Sequence, residues 1–176
     1  FDKEFTDDPI PPGGTATLEF TIINSHPIST VTNIAFTDDL AGILSGLVAT
    51  GLPANDVCGV GSQLSGTDSL SFTGGELAPG FGCTFSVTLQ VPGDASFGDY
   101  ANTTSDVTGL INGLDVDGAA APDDLRVSYM SFDKTFDGSA VAGDMVDLTF
   151  TIFNPDPVNS AQRIAFSDNL DAVISG

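Results

Sequence analysis

The side chains in this 176-residue sequence that could do chemistry are overwhelmingly carboxylates: 21 Asp and three Glu stand against two Lys, two Arg and one His. Carboxylates together with turn carbonyls are the ligands a hard cation such as calcium takes. Two places could gather them. Gly113, Asp115, Asp117, Gly118 and Asp124 fall at positions one, three, five, six and twelve of an EF-hand-like loop. Position one is Gly rather than Asp, however, and helical flanks are absent, so the expectation is at most a calcium-stiffened β-loop, with a solvated acidic loop as the alternative. The second place is Asp38 and Asp39, with Asp168 in a related stretch, where carboxylates at a strand end could bridge a junction between modules or simply cap the following turn. The two lysines, Lys3 and Lys134, sit in near-identical surroundings, FDKEF and FDKTF. Such a lysine can be joined to an Asn or Asp side chain on another strand beside a carboxylic acid, and Asn102 is the candidate partner for Lys3. The plain alternatives are an ion pair with a nearby Asp, or a charge that protects an edge strand.

Other chemistry has little to work with. His26 lies in a Ser25, His26, Pro27 loop and is replaced by Asp156 in the related stretch, which reads as an ordinary exposed loop residue. No GxSxG elbow is present, and adjacent acids such as Asp7 and Asp8 arise freely in so acidic a chain. Asn102, Thr103 and Thr104 form a glycosylation sequon, more simply read as strand residues. The expectation is therefore a protein that is not an enzyme. Cys58 and Cys83 lack CxxC spacing and nearby His, so they read as one disulfide in an oxidising compartment, with two buried free thiols as the alternative.

The net charge of −20 excludes a nucleic-acid binder, because phosphate contact needs clustered Lys and Arg. It keeps like molecules apart and repels anionic membranes. Asp rather than Glu, with 20 Gly and 10 Pro, disfavours helices. With 41% hydrophobic residues and 13 Phe there is enough apolar material for a core. No initiator Met, leader or membrane-length apolar run is found, so the chain reads as a mature protein or a fragment of a larger one.

The strongest signal is internal repetition. FDKEF recurs as FDKTF, LEFTIIN (Leu18 to Asn24) as LTFTIFN (Leu148 to Asn154), and IAFTDDL (Ile34 to Leu40) as IAFSDNL (Ile164 to Leu170), and both copies close on Ser-Gly. The period of roughly 130 residues is far above that of solenoids, so each repeat is a domain. Residues 1–130 form one complete module, and 131–176 the opening part of a second. The apolar face of that part (Val146, Leu148, Phe150, Ile152, Ile164, Phe166) is expected to be completed by another chain or by further sequence.

Period-two alternation marks strands at Thr15 to Asn24 and Cys83 to Val91. Shorter strands are predicted at Phe1–Phe5, Ile34–Thr37, Ser69–Phe72, Tyr100–Val107 and Leu125–Tyr129. Turn signals stand between them at Pro11 to Gly14, Gly74-Gly75, Pro79-Gly80 and Pro92-Gly93. Leu40 to Leu52 could hold a helical turn or two. Seven or more short strands with frequent turns imply an all-β, immunoglobulin-like antiparallel sandwich, with a closed barrel as runner-up.

The ordered series FDKxF, LxFTIxN, IAFxDxL, Cys58-Gly59, GGELAPGFGCTFSVTLQV and GDYANTTSDV resembles the bacterial conserved-repeat family known as domain of unknown function eleven, and its relatives. That resemblance covers residues 1–130 and continues through 131–176. It implies immunoglobulin-like modules in tandem in secreted and cell-surface proteins, in stalk, adhesive or envelope roles. Cys58 and Cys83 match the family's paired cysteines, and no particular ligand is implied. The sequence thus predicts an extracellular structural module (stalk, adhesin, or filament or envelope building block) that associates with neighbouring repeats or copies of itself. The alternative is a module that binds a glycan or protein through sandwich-end loops, with calcium as a possible cofactor. The absence of Trp and the presence of only Tyr100 and Tyr129 count against a stacking glycan site.

Overall fold

The computed structural model describes residues 1–138, 141, 143, 145–154 and 160–170. The chain divides into two compact units, Phe1–Tyr129 and Met130–Gly176. In the first, β1 (Asp2–Phe5), β2 (Thr15–Ile23) and β3 (Val31–Asp39) lead into a one-turn helix, α1 (Leu40–Ile43). Then come β4 (Val48–Thr50), β5 (Ala54–Asn55), β6 (Gln63–Gly66), β7 (Ser69–Leu77) and β8 (Gly82–Gln90). The unit ends with β9 (Gly98–Thr103), β10 (Val107–Ile111), β11 (Leu114–Gly118) and β12 (Pro122–Val127).

Alternation decides how these strands stack. Ala16, Leu18, Phe20 and Ile22 of β2, and Phe85, Val87 and Leu89 of β8, all point inward and are buried. They line one face of a sheet ordered β1-β2-β8-β4. Ile34 and Phe36 of β3 and Leu70 and Phe72 of β7 line the facing sheet, ordered β11-β10-β3-β7-β6-β5. Phenylalanines close the space between the two. Phe20 lies 4.9 Å from Phe36 and 5.7 Å from Phe85, and Phe72 lies 5.3 Å from Phe36 and 5.0 Å from Phe85, all centroid to centroid and tilted or stacked. Ring pairs at these separations add to the stabilisation that comes from area burial alone. The result is an all-β sandwich of antiparallel sheets.

The first sheet, β1-β2-β8-β4, has the A-B-E-D order of one immunoglobulin sheet, with β5 to β7 coming between D and E in sequence. β9 and β12 pair with each other in a two-stranded sheet apart from β3. Beyond β1 the chain leaves the first sheet and runs parallel to β12, where Ile10 N donates to Arg126 O at 2.9 Å and Ser128 N to Ile10 O at 3.0 Å. Next to β3, Ser105 N donates to Thr37 O at 2.8 Å, and Thr37 N to Ser105 Oγ at 2.9 Å.

At two places the chain departs from the local pattern. Gly74-Gly75 is not a turn but lies inside β7, where the register with β3 shifts. A Cβ on Gly75 would come within 2.8 Å of the Phe72 ring and 3.0 Å of Ile34, so the missing side chain is what lets the two sheet strands close over that ring. The strand predicted over Tyr100–Val107 is two strands, because residues 104–106 leave β12 to bond β3 before β10 begins. Leu40 starts a helix of only one turn, as the lone stretch of weak helical character allowed.

In the second unit, β13 (Ser131–Phe136) pairs with β14 (Leu148–Phe153) in the register of β1 with β2, Lys134 opposite Phe150 as Lys3 is opposite Phe20. Phe132, Phe150 and Phe166 gather with centroids 4.8 to 5.9 Å apart, the counterparts of Phe1, Phe20 and Phe36. Of the expected assembly face, Val146, Ile152, Ile164 and Phe166 are exposed, and Leu148 and Phe150 half-buried. The Ser-Gly close of this copy and Asp156 lie outside the described residues.

Cys58 and Cys83 form a disulfide, with Cα atoms 5.7 Å apart. It ties β8 of one sheet to the segment between β5 and β6, where Cys58 O accepts from Glu76 N and Cys58 N donates to Ser62 Oγ. Closing the 25-residue separation stabilises the native state by about 3 kcal/mol in the chain-entropy account. Substituting both cysteines with Ala should therefore lower the unfolding free energy by about that amount, read from urea unfolding extrapolated to water, with a steeper slope because the uncrosslinked denatured chain exposes more surface.

Candidate functional site: a buried lysine, aspartate and asparagine

Lys3 faces inward on β1, with Phe1 just before the strand and Phe5 at its end, because FDKEF alternates with period two. Asp38 follows Ile34 and Phe36 on the inward face of β3 by the same rule, and Asn102 follows Tyr100 on β9. All three are buried, with 3%, 1% and 1% of their surface exposed. They meet where β1, β3 and β9 converge. Asn102 Nδ2 donates to Asp38 Oδ2 at 3.1 Å, and Lys3 Nζ lies 3.7 Å from that same oxygen. Lys3 Nζ, Asp38 Oδ1 and Asn102 Oδ1 have no hydrogen-bond partner among the described residues. Buried polar atoms are nearly always bonded, so an unpartnered atom on each of three touching side chains is a departure that calls for a cause.

Burial sets the protonation. Desolvation lowers the Lys3 pKa from its ordinary value, opposed by the charges of Asp38 and Asp123. Desolvation raises that of Asp38, opposed by the Lys3 charge and the Asn102 hydrogen bond. Both shifts push toward the uncharged pair, a free amine beside a protonated acid, because removing charge from water is costlier than moving one proton between neighbours. Lys3 is thus not a guard on an exposed strand edge, and Asp38 is not available to bridge a module junction.

The second unit repeats two of the three members. Lys134 Nζ donates to Asp168 Oδ1 at 2.8 Å, with side chains 27% and 24% exposed. Asp168 is therefore partnered by a lysine, as Asp38 is. The position equivalent to Asn102 falls beyond residue 176.

The remaining candidates are not brought together. Asp115 and Asp117 are exposed on β11, paired with Leu110 and Thr108 of β10. Asp124 is on β12 in another sheet. The turn at Asn112-Gly113 closes a tight β10–β11 hairpin, so the loop needed to wrap an ion does not form. Asp39 is exposed and its Oδ1 accepts from Gly42 N at 3.0 Å, capping α1. Among the described residues no three His, Cys, Asp or Glu side chains are gathered as a metal site requires. His26 is half-buried rather than a free loop residue: its Nδ1 accepts from Ser29 N at 2.9 Å and shapes the loop before β3. A groove of about 510 Å³ at this end of the sandwich is lined by Phe1, Ile22, Val31, Ile34, Leu77 and Val107, among others.

Residues 1–127 match a family described as a domain of unknown function, DUF7933. No curated protein matches the chain. Among solved structures, the sporulation control protein Spo0M from Bacillus subtilis is similar at 16% identity and a TM-score of 0.42, over 72% of this chain and 47% of that one. The chain thus spans about half the length of that protein, and the likeness assigns nothing to the site.

Two adjacent aspartates should respond very differently to truncation. Asp38→Ala leaves the buried Lys3 amine and Asn102 amide without their shared partner and should cost about 1–3 kcal/mol for each group left unsatisfied, whereas Asp39→Ala removes a helix cap worth about 1 kcal/mol; chemical denaturation reads both. Calcium at millimolar concentration should leave the thermal midpoint of the chain unchanged, since the acids of β11 and β12 are not convergent. An upward shift would reinstate a calcium site.

Proposed function

The chain belongs to the DUF7933 family, and we propose that it serves as a structural rather than catalytic module of an extracellular tandem-repeat protein, in a stalk, an adhesin, or a filament or envelope layer. The observation that carries this reading is repetition of construction. The FDKxF strand, the phenylalanine trio and the lysine–aspartate pair recur in one chain, which is how a protein extends itself by copying a domain rather than by elaborating a site. The Cys58–Cys83 bridge supports an oxidising compartment, and the −20 charge suits a molecule kept soluble and separate from its like. Among the described residues no helix is long and apolar enough to cross a membrane. The more specific likeness to the conserved-repeat family, domain of unknown function eleven, rests on the motifs alone. Homotypic association through the apolar face of 146–166 belongs to the same reading.

The alternative, a module that binds a glycan or protein through sandwich-end loops, draws support from the groove beside Phe1 and the His26 loop. Its lining is mostly apolar, with Asn24, Ser25, His26, Thr108 and Asp117 among it, which suits a protein segment better than a sugar stacked on an aromatic platform.

Location is the first thing to test. Antibodies raised to the first unit should label intact, unpermeabilised source cells or their shed material, and protease treatment of whole cells should remove the signal. Labelling that appears only after lysis would overturn the proposal.

A further inference from the structure

We propose that Lys3 and Asn102 become joined by an amide bond between their side chains, formed by the protein on itself with Asp38 as the acid–base group. The proposal stands on geometry. An amine and a carboxamide are buried on the same carboxyl oxygen, at 3.7 and 3.1 Å, inside a core ringed by phenylalanine. One atom of each side chain is left without a hydrogen bond. A buried ion pair alone does not account for this, because Lys3 Nζ is outside hydrogen-bond reach of Asp38 and the Asn102 carbonyl faces nothing that satisfies it. A pending covalent step accounts for all three atoms.

The chemistry balances without any outside reagent. Burial favours the free amine on Lys3 and the protonated acid on Asp38, the forms the step requires. The lone pair of Lys3 Nζ attacks Asn102 Cγ, and a new C–N bond forms as the carbonyl π pair moves onto Oδ1. Asp38 takes a proton from the attached nitrogen and delivers one to Nδ2, which it already contacts. The Cγ–Nδ2 bond breaks and ammonia leaves. Nothing is oxidised or reduced, and Asp38 ends as it began. The product exchanges an amine and a primary amide for a single secondary amide, so fewer polar groups remain to be satisfied in the core.

Placement gives the bond a consequence. Lys3 lies on the first strand and Asn102 on the ninth, so the link would hold residues 4–101 inside a covalent loop that also contains the Cys58–Cys83 bridge. A pull on the two ends of the module would run through the amide and bypass most of the fold. That use rests on the structural reading above; the bond itself does not, and its test is independent of where the protein resides.

Intact mass of the reduced, denatured chain is the experiment. Wild type should be lighter than its sequence by one ammonia. One is expected rather than two, because Lys134 has its aspartate but no Asn102 counterpart within the chain. Proteolysis should release a branched peptide carrying Lys3 and Asn102, which separates this product from ammonia lost by cyclisation at Asn112-Gly113. Asp38→Asn and Asn102→Ala should both run at full sequence mass. Asn102→Asp should lose one water instead. The wild-type measurement decides even if a variant fails to fold. Full sequence mass in the wild type, or loss mapped to Asn112, overturns the proposal, as does loss of water with Lys3 joined to Asp123.

Discussion

A lysine amine in an apolar interior is the constraint around which the first unit is organised. Ionised and unpaired, it would cost more than a small sandwich can offset. Lys3 is tolerated only because Asp38 is brought beside it, and Asp38 in turn only because Asn102 donates to it. These residues lie on three strands far apart in sequence, so the cluster assembles in one arrangement of β1, β3 and β9 and in no slipped one. A register shift of a single residue would turn Lys3 outward and an acidic neighbour, Asp2 or Glu4, inward. Buried polar groups thereby act on specificity as much as on stability.

The apolar part of the interior meets the same geometric demand. Phe20 and Phe85 from one sheet and Phe36 and Phe72 from the other fill the gap between sheets, and Phe36 is two residues before Asp38. The ring cluster and the polar cluster are therefore consecutive inward positions on the same strand. Because the first sits against the second, water is kept from the lysine, and its desolvation is a product of the packing rather than of any special residue. In the second unit Lys134 and Asp168 are in contact at 2.8 Å and about a quarter exposed.

Neighbouring residues of one type take opposite roles for the same reason. Asp38 and Asp39 are chemically identical and adjacent, yet one faces the core and the other caps α1 in solvent. Strand alternation, not charge, assigns them. The acidic surplus elsewhere is spread over exposed strand faces and turns, where it affects association with other molecules more than folding.

Much of this was legible in the chain itself. Period-two alternation located β2 and β8, the Asp, Gly and Pro content disfavoured helices, of which α1 is a single turn, and the repeated motifs set the boundary near residue 130. Alternation also held a signal that composition obscured: in FDKEF, IAFTDD and DYAN the polar residue occupies the parity of its hydrophobic neighbours, which marks Lys3, Asp38 and Asn102 as inward-facing. Reading acids as surface residues hid it, and led instead to calcium loops at Asp115, Asp117 and Asp124. What no local pattern could supply was convergence. Alternation fixes which face a side chain takes along its own strand, whereas which strands lie next to one another is set by long-range packing across the sandwich. Local pattern thus accounts for β2, β8, their inward faces and the recurrence of the motifs, whereas packing across the sandwich places three inward polar side chains, separated by up to 99 positions from Lys3 to Asn102, around one oxygen in a dry core.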